Sequence, residues 1–131
     1  MRGAVGIASA LALLAVPHPA SAAPERCFGE RATVEARHAV GTAGDDVLVT
    51  PGGSAFGRGG DDLICSTRAG GTIAVLDGGT GDDRIHGGAG GAVADAGPGR
   101  DQVRGGAGPD GIIDRAGGDV YSGGRGSDIL Y

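Results

Sequence analysis

Aspartate recurs in this chain at intervals that a folded backbone could use. Asp83, Asp101, Asp110, Asp119 and Asp128 each hold the sixth place of a nonapeptide. Six such units, "GGTGDDRIH", "GGAGGAVAD", "AGPGRDQVR", "GGAGPDGII", "DRAGGDVYS" and "GGRGSDILY", run from 78 to 131 without a gap. Asp46 and Asp62 hold the same place in two earlier copies, "GTAGDDVLV" (41–49) and "GRGGDDLIC" (57–65). A file of carboxylates offers hard oxygen donors and suits a cation ligand. Aspartates in turns are also often no more than solvated turn residues. Stacked carboxylates would repel one another, and the chain has no lysine to offset them while its arginines fall mostly outside the loops, which favours the metal.

The other columns show what must position these acids. Every one of the six units has glycine at its fourth place, and the eighth carries Ile85, Ala94, Val103, Ile112, Tyr121 and Leu130. Glycine at places one, two and four permits positive φ and close backbone approach in a tight turn. The eighth side chain then points inward and its neighbours at seven and nine, such as Arg84, Gln102 and Arg104, point outward. Upstream, "AGGTIAVLD" (69–77) is a weak copy. "TPGGSAF" (50–56) reads as a degenerate unit, one residue short on each side, with Phe56 at the inward place. "STR" (66–68) reads as an insertion.

Over 41–131 this pattern, G-G-x-G-x-D-x-U-x, resembles the RTX, or haemolysin-type calcium-binding, repeat family. The resemblance implies an all-β fold, a parallel β-roll (a right-handed β-solenoid) in which six residues turn, three form a strand, and two units complete a coil. It also implies that each Ca2+ lies between turns stacked on one edge, held by sixth-place aspartates and backbone carbonyls. Sorting units by parity places Asp46, Asp62, Asp83, Asp101 and Asp119 on one edge. Ser54, Ala74, Ala92, Asp110 and Asp128 fall on the other. The expected sites pair Asp46 with Asp62, Asp62 with Asp83, Asp83 with Asp101, Asp101 with Asp119, and Asp110 with Asp128, up to about five calcium ions. Asp82, in fifth place, is expected to leave its side chain in water. Two inward side chains per coil do not offset the ordering entropy of so much glycine-rich backbone, so folding is expected to depend on calcium.

The chain has 131 residues, with 30 glycines, two Phe, two Tyr and no Trp, which allows one small domain with little to bury. Arg2, the apolar run "AVGIASALALLAV" and "ASA" at 20–22 read as a secretory signal peptide over 1–22, too short and proline-broken for the roughly 20 residues of a membrane span. The mature protein is therefore expected outside the cell and without a membrane span. Cys27 and Cys65 are the only cysteines, and a disulfide is the default for an exported chain; the family resemblance implies the same pairing. Residues 23–40, with one short strand in "ATVEA", read as a cap pinned by that disulfide over the open end of a roll spanning 41–131.

A formal net charge of -5, more negative once Arg2 is removed, argues against nucleic acid partners. There is no HExxH and no GxSxG, and the histidines of the mature chain, His38 and His86, lie far apart in sequence, so no enzymatic activity is expected. The first reading is a stand-alone calcium-binding β-roll. A second is an adhesion or matrix protein of the cell envelope that uses the roll as a scaffold, and a third is a metal-free glycine-rich solenoid.

Overall fold

The structure, a computed structural model, describes residues 25–67 and 72–131. The expected signal peptide at 1–22 lies outside the described residues, as do Arg68 of the insertion and the first three residues of the weak copy. An antiparallel hairpin of β1 (Arg26–Cys27) and β2 (Glu30–Arg31) comes first. The chain then alternates between two parallel sheets. The first sheet stacks β3 (Val34–Glu35), β5 (Val47–Thr50), β7 (Leu63–Ser66), β9 (Arg84–His86), β12 (Gln102–Ala107) and β15 (Val120–Arg125). The second stacks β4 (His38–Val40), β6 (Ser54–Phe56), β8 (Ala74–Asp77), β10 (Ala92–Asp95), β13 (Gly111–Ile113) and β16 (Ile129–Leu130). Within the turns of the last coils, β11 (Pro98–Gly99) pairs in parallel with β14 (Ala116–Gly117). This is the expected parallel β-roll.

Strands stay short because each unit spends most of its residues turning, and alternation along a strand sends one side chain in for every two that face out. The inward file of the first sheet is Val34, Leu48, Ile64, Ile85, Val103 and Tyr121. That of the second is Ala39, Ala55, Leu76, Ala94, Ile112 and Leu130. Leu48, Ile64, Leu76 and Ile85 are fully buried between the sheets.

Three features depart from the sequence reading. In "TPGGSAF" it is Ala55, not Phe56, that faces inward; Phe56 lies on the outer face, 38 % exposed. The register of β6 is held from both sides, by Val40 on one neighbour and Asp77 on the other, so the shortening falls in the turn before the strand. Gly53 then occupies the sixth place in place of Ser54, where a Cβ would run into the Arg37 carbonyl. Second, the parallel ladders begin at Val34 and not at 41, so the cap segment contributes the first coil.

Third, the hairpin lies across the outer face of the first sheet. Cys27 packs there with Val49 and Cys65, and Phe28, Ala32, Val47 and Leu63 close around them. Cys27 and Cys65 form a disulfide with a Cα separation of 5.6 Å. Outward places seven and nine of the first coils are apolar because the hairpin covers them. Among the described residues no helix is long and apolar enough to cross a membrane.

Candidate metal centre

The turns carry the chemistry, and glycine shapes them. Gly79 and Gly97, in second place, have φ near +90° (93° and 88°), where an L side chain is strained. In first place the requirement is room. A Cβ on Gly78 would lie 2.5 Å from both the Asp83 Oδ2 and the Ala96 carbonyl oxygen.

The structure stacks the predicted acids pair by pair on neighbouring coils. On one edge, the Asp46 N–H donates to Asp62 Oδ1 (2.8 Å), Asp62 N–H to Asp83 Oδ1 (2.8 Å), Asp83 N–H to Asp101 Oδ1 (2.8 Å) and Asp101 N–H to Asp119 Oδ1 (2.7 Å). On the other edge, Ala92 N–H donates to Asp110 Oδ1 (2.7 Å) and Asp110 N–H to Asp128 Oδ1 (3.1 Å). Each of these aspartates except Asp46 thus uses one oxygen to fix the spacing of successive turns.

The second oxygen distinguishes them. Oδ2 of Asp62, Asp83, Asp101 and Asp110 is buried and has no hydrogen-bond partner among the described residues. A buried carboxylate oxygen without a donor is costly unless it is protonated or faces a cation. Burial accordingly pushes Asp83 up to about 7 and Asp62 up to about 6, against the hydrogen bonds from the preceding backbone that lower them, and it raises Asp101 and Asp110 as well.

Nor are these oxygens alone. At Gly57, Gly78 and Gly105 the same pair approaches the first-place Cα: the carboxylate Oδ2 of its own turn and the first-place carbonyl of the next coil, from Gly78, Ala96 and Gly123 respectively. Two acceptors this close together, one of them a buried carboxylate oxygen without a donor among the described residues, suit a hard cation nearby, and an all-oxygen set fits Ca2+. Asp62, Asp83, Asp101 and Asp110 would supply its carboxylates. Among the described residues no three His, Cys, Asp or Glu side chains gather at one point, so a cation here would draw its other ligands from further oxygens such as the first-place carbonyls or water.

Asp46 and Asp119 differ from these four. Asp46 Oδ2 accepts from the Thr42 N–H (2.6 Å) and the Thr42 hydroxyl (2.9 Å), because threonine stands where the repeat has its second glycine. Asp119 Oδ2 accepts from the Tyr121 hydroxyl (2.8 Å), and the backbone bond from Asp101 holds its carboxyl below the ordinary value. Neither partner was read from the sequence, although each stands where the repeat pattern is broken. Asp128, half-buried in the last coil, places its Oδ2 against Gly123.

Asp82 keeps its side chain exposed, as expected, but that side chain is also engaged: Asp82 Oδ1 accepts from Arg100 N–H (2.9 Å), while its own N–H donates to Asp61 Oδ1 (2.9 Å), as Asp61 N–H does to Asp45 Oδ1 (2.8 Å). Fifth-place acids thus form a second, outer ladder that runs opposite to the inner one.

A family model for the RTX calcium-binding nonapeptide repeat matches residues 69–91 and 95–130, in 4 copies. No curated protein and no solved structure matches the chain. The fold and the turns define a β-roll of stacked nonapeptides. Residues 69–91 and 95–130 thus match the RTX calcium-binding nonapeptide repeat, and the two ladders continue upstream of them to Val34 and His38.

Proposed function

We propose that the protein is a secreted calcium-binding β-roll without catalytic activity, whose folding is completed when Ca2+ enters between stacked turns. One observation carries this reading: four buried carboxylate oxygens, on Asp62, Asp83, Asp101 and Asp110, that have no hydrogen-bond partner among the described residues. A cation removes the cost of burying them, so folding and binding become one equilibrium. Each site draws few carboxylates, which places affinity in the range of extracellular modules, about 10^-4 to 10^-3 M. Secretion is supported by the signal-like residues 1–22 and by the Cys27–Cys65 disulfide, a bond that persists in oxidising surroundings.

The test is circular dichroism and size-exclusion chromatography of the mature chain, first in EGTA and then through a calcium titration. The expected result is gain of β structure and contraction as calcium rises into the millimolar range. A chain equally folded and compact in EGTA would overturn the coupling.

A further inference from the structure

We propose that the outer face of the first sheet, beyond the hairpin, binds an anionic glycan. A trough of about 430 Å³ lies there, and the side chains that give it polar character are His86, Gln102, Arg104 and Ser122, with Val120 as an apolar floor. Strand register explains the arrangement: Arg84, Gln102 and Val120 form one outward row, and His86, Arg104 and Ser122 form the next. No Asp or Glu lines this trough, in a chain that has 16 of them. Among the described residues the one ion pair joins Arg115 to Asp95, so Arg104 presents an unneutralised guanidinium.

The hairpin places an aromatic ring beside His86, outside the trough lining itself. Its turn holds Phe28 at φ 50° and Gly29 at φ 88°, a two-residue turn whose first place ordinarily falls to Asn, Asp or Gly. A bulky residue with positive φ persists only when its surroundings impose it. Here the neighbouring Cys27 is tied to Cys65, and the ring lies 4.4 Å from the Arg84 guanidinium carbon and 6.3 Å from the His86 ring. Phe28 thereby orders Arg84 and stands beside the end of the trough that His86 lines.

This mixture of groups selects the ligand class. A dense arginine cluster would suit a phosphate or a strongly acidic peptide. Here one free guanidinium shares an open surface with an amide, a hydroxyl and an imidazole, which matches a chain bearing many hydroxyls and scattered acid groups. Peptide addition as a further strand is closed at β9 and β12, each paired on both sides, and open only along the free edge of β15, so polyglutamate serves as its control in the experiment below. The trough uses none of the turn carboxylates, so it stands or falls separately from the calcium reading.

The experiment is calorimetric titration of the calcium-loaded protein with short oligogalacturonate, a sulfated oligosaccharide, neutral dextran of matched length, and polyglutamate. We expect one or both acidic oligosaccharides to bind, the tighter one identifying the anion, with affinity falling as salt is raised. Arg104→Ala should weaken binding about tenfold, and Arg104→Lys less. Arg58→Gly, which removes a cation that does not line the trough, should leave it unchanged, and circular dichroism should show all three variants folded. Equal binding of dextran, polyglutamate binding as tight as the better acidic oligosaccharide, no binding of either acid, or equal losses in Arg104→Ala and Arg58→Gly would each overturn the assignment.

Discussion

The two edges of the roll solve one problem with different chemistry. Along the edge of Asp46, Asp62, Asp83, Asp101 and Asp119, the sixth residue of every turn directs a carboxylate into the interior. Along the other, Ala74 and Ala92 hold the same place, each 1 % exposed and packed into the core. A buried methyl closes a turn without outside help, whereas a buried carboxylate needs a proton or a cation. The difference teaches that the need for a proton or cation is set turn by turn. The buried carboxylate oxygens without a partner are concentrated on one edge, and on the other the one such oxygen among the described residues is on Asp110.

The largest expected effect comes from removing an acid at the centre of the rich edge. Asp83→Ala should abolish the calcium-induced gain of β structure in its part of the roll and reduce bound calcium by about two ions, since Asp83 stacks with both Asp62 and Asp101. Calorimetric stoichiometry measures this; an unchanged count would remove the distinction between the edges.

The converse change tests whether the alanine edge is a site lacking only its carboxylate. Gly87 lies between Ala92 and the Gly105 carbonyl much as Gly78 lies between Asp83 and the Ala96 carbonyl. Ala92→Asp should therefore add about one calcium ion per chain while lowering stability in EGTA, since it buries one more unpartnered carboxylate. Stoichiometry and thermal unfolding with and without calcium would read both effects.

Protons should compete with calcium on the rich edge. Burial raises Asp83 to about 7 and Asp62 to about 6 in the metal-free roll, above the ordinary value of 3.8. The metal-free fold thus binds protons more tightly than the unfolded chain. That stabilisation is complete below the unfolded value of 3.8 and is lost as pH rises through 6 to 7. Apparent calcium affinity should rise over the same window and level off above it. Titrations at intervals from about pH 5 to 8 would show it; a flat profile would mean that these carboxylates are not buried without metal.

The smallest effect concerns turn backbone rather than charge. Arg58 holds a glycine place on the rich edge at φ 79°. Arg58→Gly should stabilise the calcium-loaded roll by about 1 kcal/mol, the cost of a left-handed side-chain-bearing residue, read as a rise in melting temperature. No rise would show that this turn is not strained.

Much of this architecture was legible in the sequence because the repeat carries it locally. A period of nine with an aliphatic eighth residue foretold the inward files from Leu48 onward, but not Val34 and Ala39, which lie in the segment read as a cap. Parity foretold which aspartates share an edge. The exception, Ala55 for Phe56, arose where the unit loses two residues: sequence spacing does not say which side of the strand is shortened, and the neighbouring strands decide it. Thr42 and Tyr121 were illegible as partners of Asp46 and Asp119 because they satisfy those acids by position in the folded turn. The hairpin was read as an end cap, since nothing local reveals that Val47, Val49 and Leu63 form an apolar outer face in need of cover.

By itself the sequence determined the roll, its period, the two inward files and the segregation of acids, because these depend on glycine freedom and side-chain alternation within nine residues. Tertiary structure alone decided which carboxylate oxygens are left unpartnered, where the hairpin lies, and which face presents free arginine. Each of those depends on what the next coil, or a distant segment, brings alongside, and no spacing along the chain encodes that.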